Sequence, residues 1–126
     1  MVAMTRQCTF RLDGDGVVLA TMNDGARFEL SDAVEAVAAT VEVAGGTRRP
    51  ILVDMRGVQS ESKEARAYVG GSEMTRVATA IALLTSSPVS KMIANFFLRI
   101  GHQPVPTRVF DDPSTARSWL RTHTPS

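Results

Sequence analysis

The sequence predicts an α/β domain with a mixed, mostly parallel sheet of five to six strands and four helices. Three observations support this fold class: an N-terminal hairpin pattern, alternating helical and apolar segments from residue 31 onward, and a continuous apolar run over residues 77–85. Strands that alternate with helices pair in parallel through crossover connections. With 126 residues, 44% of them hydrophobic and 21% charged, we expect a single domain over residues 1–126.

The first strands are predicted from alternating side chains and turn residues. Residues 8–13 alternate apolar and polar side chains, which is typical of a half-buried strand. A glycine-rich turn at 13–16 leads into a second strand over 17–22, so the two should form an antiparallel hairpin. Residues 26–30 alternate again and predict a short third strand, whose Arg27 suits an edge or an exposed face.

The first helix is predicted to begin at Ser31-Asp32 and to end at Gly45-Gly46. Either Ser31 or Asp32 suits the cap, and Glu35 follows Asp32 at the spacing of a capping box. Glycine just after the last helical residue is a common helix stop. The predicted buried face has 3-4-3 spacing and consists of Val34, Val37, Val41 and Ala44.

Strands and helices alternate through the rest of the chain. A strand over 51–54 precedes a helix from Ser62, which Gly70-Gly71 should end or break, with one more turn over 72–76. The run 77–85 is bounded by turn residues, and its length and setting favour a buried parallel strand over a helix.

Two further helices begin where a capping residue precedes proline. Ser87-Pro88 starts a helix over 88–100, and Asp112-Pro113 starts the last one. A short strand over 107–110 lies between them. The last helix should be anchored by Ala116, Trp119 and Leu120.

The segment after the 51–54 strand is the predicted functional site, because ligands of open α/β sheets bind beyond the carboxyl ends of the strands. Asp54 and Arg56 suit an acid and an anion clamp, but no histidine, cysteine or second carboxylate accompanies them at a recognised spacing. We therefore expect Asp54 to bond loop amides and Arg56 to be solvated or paired with a carboxylate. No catalytic residue is predicted.

A contact surface for a protein partner is predicted over this segment. Its residues are Arg56, Ser60, Glu61, Ser62 and Lys63. Ser60 and Ser62 precede a helix, so the favoured interpretation is that one of them caps it. The alternative is phosphorylation or a hydrogen bond to a ligand, which the helix N-terminus would favour and the neighbouring Glu61 and Glu64 would partly oppose.

The predicted 88–100 helix is apolar over most of its circumference, with only a narrow polar strip. Such a helix is covered on more than one side. It is either a central core helix, a homodimer surface or a wall of an apolar ligand pocket. The residues proposed for the dimer or ligand surface are Met92, Phe96, Phe97, Ile100 and Val105.

Several classes of function are disfavoured by composition. The net charge is +1 and no basic run exceeds Arg48-Arg49, so nucleic-acid binding is not expected. The single cysteine, Cys8, cannot form an internal disulfide, and it fits a core position in a reducing cytoplasm. No metal-ligand cluster, cofactor motif, signal peptide or membrane-spanning segment is predicted.

Several segments together point to a known family. They are Val-Asp-Met-Arg-Gly-Val at 53–58, Ala-Ile-Ala-Leu-Leu at 80–84, Pro-Thr-Arg-Val-Phe at 106–110, and the helix with Ala116, Trp119 and Leu120. These resemble the anti-sigma-factor antagonists, the STAS-like or SpoIIAA-like domains, and more closely small uncharacterised bacterial proteins with that fold. The resemblance covers roughly residues 8–121.

The resemblance implies partner binding through the loop and helix start after the 51–54 strand. In the regulatory family a serine there, within Asp-Ser-Ser-Gly, is phosphorylated by a partner kinase. Counted from Asp54, the family's aspartate falls on Ser62 and its phosphorylated serine on Lys63, and the motif is missing from this chain. We therefore expect the contact surface without the kinase switch.

These inferences predict a cytoplasmic bacterial protein-interaction or regulatory domain that forms a homodimer and catalyses no reaction. It should need no cofactor. The alternative function is binding of a lipid or small apolar ligand in the region of 96–105.

Overall fold

The computed structural model describes residues 2–70, 74–100 and 105–123, the side chains of residues 70, 75 and 96–100 excepted. Eight strands and five helices lie in these ranges. They are β1 Val2–Met4, β2 Cys8–Leu12, β3 Val18–Met22, β4 Ala26–Phe28, α1 Leu30–Ala44, β5 Arg49–Asp54, β6 Val58–Glu61, α2 Lys63–Gly70, α3 Met74–Val77, β7 Ala78–Leu84, α4 Pro88–Ile100, β8 Thr107–Phe110 and α5 Pro113–Arg121.

The main sheet has six strands in the order β1-β2-β3-β5-β7-β8. The β1–β2 and β2–β3 pairs are antiparallel, and the β3–β5, β5–β7 and β7–β8 pairs are parallel. This confirms the predicted mixed sheet with its N-terminal hairpin. Strand β1 was not predicted. Strand β4 is the predicted short third strand, but it pairs with β6 in a separate two-stranded parallel sheet.

Helices cover both faces of the main sheet. Buried residues of α1, α2, α3 and α4 pack in the larger core on one face, and α5 packs with the smaller core on the other. Along β5, Ile51 and Val53 point to the larger core, whereas Leu52 points to the smaller one. The apolar runs in β5 and β7 are therefore continuous because successive side chains enter cores on opposite faces.

The predicted start of α1 is wrong, and its predicted buried face is confirmed in part: Val37 and Ala44 are buried, and Val41 is partly buried against the larger core. The helix begins at Leu30, and Asp32 lies in its first turn, where its carboxylate accepts a hydrogen bond of 2.9 Å from the Glu29 backbone N–H. Val34 is 43% exposed. The buried face is rotated toward smaller side chains and consists of Asp32, Ala33, Ala36, Val37, Ala39, Thr40, Val43 and Ala44.

The Asp32 carboxylate can be buried because both of its oxygens accept hydrogen bonds. Arg6, in the β1–β2 turn, places Nη2 3.1 Å from both carboxylate oxygens of Asp32. Together with the Glu29 amide, this ion pair satisfies a charge that would otherwise be costly to bury. The cap itself is local, because Glu29 and Asp32 form a reciprocal capping box, so the predicted pattern is of the right kind but begins at Glu29 and not at Ser31 or Asp32.

Three other predicted helix signals are confirmed, whereas Gly71 of the predicted Gly70-Gly71 stop lies outside the described residues. Ser87 Oγ accepts from the Ser90 N–H at the start of α4 (3.1 Å), and an Asp112 carboxylate oxygen accepts from the Thr115 N–H at the start of α5 (2.8 Å). Gly45 ends α1 with φ of 69°, a conformation that favours glycine. No helix in the described part of the chain is both long enough and apolar enough to cross a membrane.

Candidate functional site

The loop that leaves β5 is held by an ion pair between Asp54 and Arg56. Arg56 Nε donates to Asp54 Oδ1 (3.0 Å) and Nη2 donates to Oδ2 (2.9 Å), while the Arg56 backbone N–H also donates to Oδ1 (3.0 Å). Burial alone would raise the pKa of Asp54, but these hydrogen bonds from Arg56 outweigh it and hold the pKa below its usual range. The expected structural role of Asp54, and the pairing of Arg56 with a carboxylate, are confirmed.

The same loop is packed tightly against the β3–β4 turn. The Gly25 N–H donates to the Gly57 carbonyl (2.8 Å). A Cβ at position 57 would lie 2.8 Å from Asp24 Oδ1 and 2.9 Å from the Asn23 carbonyl oxygen. The loop therefore requires glycine at 57 for close approach, and its backbone is fixed on both sides.

The segment after this loop, predicted to be irregular, forms strand β6. Ala26 pairs with Val58 and Arg27 pairs with Ser60, so β6 contains one extra residue, Gln59, opposite β4. Such a bulge changes the alternation of side chains along a strand. As a consequence Val58 and Glu61, three residues apart, both point inward.

The predicted contact residues separate into an exposed group and an inward group. Ser60 and Lys63 are exposed, and the Arg56 side chain is 47% exposed. Ser62 Oγ accepts from the Ala65 N–H (3.1 Å), so Ser62 caps α2 as the favoured interpretation expected. Glu61 instead points into the protein, which separates it from the exposed residues.

Glu61 lines a cavity between the main sheet, α1, α2 and α3. The cavity has a volume of about 60 Å³ and is neither sealed nor a flat surface groove. Its walls are almost entirely apolar. The lining residues are Cys8, Phe10, Ala20, Met22, Phe28, Ala36, Val37, Thr40, Val53, Met55, Glu61, Val69, Met74, Ile81 and Leu83.

The Glu61 carboxyl is poorly solvated in this position. The side chain as a whole is partly buried, but Oε1 is inaccessible to solvent and has no hydrogen-bond partner among the described residues. Burial raises the pKa of Glu61 from 4.5 to about 7, and the positive charge of Arg66 partly opposes this. Arg66 Nη1 also donates to the Glu61 backbone carbonyl (3.1 Å), which anchors the end of β6 to α2.

The other titratable group in the cavity wall is the Cys8 thiol. Burial raises the pKa of Cys8 to about 12, and the negative charges of Asp32 and Glu61 add to the shift. The thiol therefore stays protonated at neutral pH and contributes to the apolar wall. Thr40, which also lines the cavity, has its hydroxyl bound to the Ala36 carbonyl within α1 (2.8 Å).

The surface predicted around α4 lies partly outside the described residues, since the side chains of Phe96, Phe97 and Ile100 are not described. Met92 is 55% exposed, whereas Val105 is buried in the larger core. These two residues therefore do not form one exposed patch. The dimer or ligand surface stays a prediction.

The cavity is not predicted by the sequence. The walls come from nine separate elements, and the position of Glu61 depends on the bulge in β6. No apolar alternation marks a strand there, because residues 59–62 are all polar. No group of three or more histidine, cysteine or acidic residues in the described ranges is arranged to hold a metal ion.

Comparison with known proteins agrees with this architecture. A family model described as a domain of unknown function, DUF7793, matches residues 10–124. The chain belongs to the DUF7793 family. No curated protein matches this DUF7793 domain.

Among solved structures, the DUF7793 domain is similar to an uncharacterised DUF3478-family protein with a SpoIIAA-like fold from Shewanella loihica. The two share 15% identity with a TM-score of 0.55, over 95% of this chain and 90% of the other. The SpoIIAA-like fold is thereby confirmed. A protein of unknown function from Arthrobacter is 39% identical over 90% of this chain and 92% of its own, with a TM-score of 0.36.

Proposed function

We propose that this DUF7793 domain is a non-catalytic protein-interaction or regulatory domain. It contacts a protein partner through Arg56, Ser60 and Lys63, at the carboxyl end of β5. The observation that carries the proposal is that these side chains are exposed on a backbone fixed from several directions. A preordered surface loses little conformational entropy when a partner binds, which favours affinity.

Arg56 is the central residue of this proposed contact. Its hydrogen bonds to Asp54 use Nε and Nη2, which hold the guanidinium in place. Nη1 bonds to none of the described residues and can donate to a partner carbonyl or carboxylate. Ser62 and Glu61 act indirectly in this proposal: the first caps α2 and the second fixes the end of β6.

The test compares a double variant, Arg56→Ala with Lys63→Ala, against a matched control, Arg11→Ala with Arg121→Ala. The control removes two exposed cations on β2 and α5. Partners captured by the wild-type domain from a lysate of its source are identified, purified and titrated against all three proteins. We expect the first double variant to weaken binding at least tenfold and the control to leave it unchanged. Equal affinity of all three proteins for every partner would refute the proposed surface.

We further propose a homodimer in a bacterial cytoplasm. The exposed apolar side chains of Val89 and Met92, 41% and 55% exposed on α4, support self-association there. Sedimentation equilibrium should show a dimer for the wild-type chain and a monomer for Met92→Glu. Lys91→Glu, at the neighbouring exposed position, controls for the added negative charge. A wild-type monomer at high protein concentration would exclude the dimer.

A further inference from the structure

The cavity beside Glu61 has two properties that a packed core does not normally combine. Its walls are apolar, and one carboxyl oxygen in them has no hydrogen-bond partner among the described residues. Buried polar atoms in native proteins are almost always satisfied, so an oxygen without a described partner on a residue that lines a cavity needs an explanation. A molecule that fills the space and bonds to the carboxyl provides one.

We propose that this cavity binds a small, uncharged, largely apolar molecule that carries one hydroxyl group, and that the hydroxyl hydrogen-bonds to Glu61. A hydroxyl group both donates and accepts hydrogen bonds. It therefore pairs with the carboxylate as donor and with the carboxylic acid as acceptor. A charged headgroup would lose its hydration against apolar walls that offer a single polar partner.

The walls can adjust to the size of the ligand. A cavity of roughly 150 Å³ takes up benzene, so a volume of about 60 Å³ admits only part of such a molecule without rearrangement. Met22, Met55 and Met74 line the cavity, and the unbranched methionine side chain repacks readily around a ligand. The ligand class is therefore a short alkyl chain or small ring with one hydroxyl.

This site is independent of the proposed protein contact. Glu61 points inward, whereas Arg56, Ser60 and Lys63 are exposed. Loss of ligand binding should leave partner capture unchanged, and the Arg56→Ala and Lys63→Ala substitutions should leave ligand binding unchanged. Either proposal can thus fail alone.

The test uses the full chain with ¹³C-methyl-labelled methionine and 1-hexanol as the probe. Met22, Met55 and Met74 report on the cavity, and the exposed Met4 and Met92 report on nonspecific effects. We expect saturable shifts of the three cavity methyl signals and none for the two exposed ones. Unsaturable shifts, or equal shifts of all five signals, would overturn the proposal.

Two variants that fill the cavity test its location. Ala36→Leu and Ala20→Val each add side-chain volume to the lining, and Ala38→Leu is the matched control on an exposed position of the same helix. Folding of each variant is checked by circular dichroism and by a cooperative thermal unfolding transition. We expect at least one folded filling variant to bind 1-hexanol at least tenfold more weakly and the control to bind as the wild type does. Wild-type affinity in both filling variants would place the ligand elsewhere and overturn the proposal.

Glu61→Leu tests the hydroxyl recognition, with xenon as a second probe that cannot hydrogen-bond. A typical hydrogen bond corresponds to about fivefold in affinity. We expect 1-hexanol binding to weaken by that factor while xenon still shifts the cavity methyl signals. If Glu61→Leu binds 1-hexanol as tightly as the wild type, the proposed role of Glu61 is wrong.

Discussion

Arg117 Nη1 lies 2.7 Å from Asp13 Oδ2, and this ion pair joins the last helix to the turn of the first hairpin. The same Asp13 carboxylate accepts hydrogen bonds from the N–H groups of Asp15 (2.9 Å) and Val17 (3.0 Å). Burial opposes ionisation of Asp13, but the hydrogen bond from Arg117 and those from the two amides lower its pKa. One carboxylate thus organises the hairpin turn and docks α5 beside it.

Arg117→Ala should destabilise the fold by about 0.5–1 kcal/mol at pH 7, the range of partly exposed ion pairs. The pKa of Asp13 is lower in the folded state than in the unfolded state. The stabilisation from its ionised carboxylate is therefore fully present above the unfolded pKa of about 4, and it is lost as the pH falls through the folded pKa. Urea unfolding of Arg117→Ala, Asp13→Asn and the double variant measures the coupling energy. Arg121→Ala, exposed on the same helix, is the control. Additive effects at pH 7 would mean that the pair contributes nothing.

Gly57→Ala should destabilise the protein by about 1–3 kcal/mol, because the added methyl group overpacks a tight contact. The new Cβ would lie 2.9 Å from the Asn23 carbonyl oxygen, which is backbone and cannot move aside as a flexible side chain can. Gly14→Ala, with no atom within 4 Å of the added Cβ, is the matched control. Thermal unfolding of both variants compares them directly, and equal melting temperatures would contradict the packing argument.

Glu61→Gln should change how stability depends on pH. Because the folded pKa of Glu61 is raised from 4.5 to about 7, the folded state holds its proton more tightly, and stability falls as the pH rises across that interval. At about 1.4 kcal/mol per pKa unit, the effect on the unfolding free energy is at most about 3 kcal/mol.

Chemical unfolding of wild type and Glu61→Gln at pH 4.5, 6 and 7.5 measures this slope. Among the described residues, Arg66 on α2 and the protonated Cys8 thiol are the titratable groups that interact with Glu61, and both are unchanged in the variant. We expect the variant to lack the decline between pH 4.5 and 7 that the wild type shows. If the unfolding free energies of the wild type and the variant change with pH in the same way, Glu61 is well solvated in the folded state.

Ser62→Ala should cost about 1 kcal/mol of stability, the usual effect of removing a helix cap. Its Oγ accepts from the Ala65 N–H, and that donor has no intrahelical partner once the cap is lost. Ser60→Ala, two residues earlier and exposed, is the control and should be neutral within about 0.5 kcal/mol. If Ser62→Ala leaves the free energy of unfolding unchanged, the cap does not stabilise the fold.

Local patterns were sufficient for the elements that depend on local chemistry. Ser87-Pro88 and Asp112-Pro113 placed the starts of α4 and α5, because a capping side chain and a proline act within one helical turn. The run 77–85 placed β7, since both of its faces are buried and the strand is apolar throughout. The start of α1 was misplaced because its N-cap is Glu29, a residue type that is not among the preferred N-cap residues, with Asp32 as its capping-box partner.

The sequence by itself determined the fold class, the order of the strands and helices apart from β1 and β6, and the place of the segment after β5. Each of these follows from side-chain periodicity or from interactions between residues close in the chain. Only the tertiary structure decided that residues 58–61 pair with β4, that a bulge at Gln59 points Glu61 inward, and that a cavity lies beside it. The physical reason is that cavity volume and carboxyl burial depend on the packing of separate elements, which periodicity within one element does not encode.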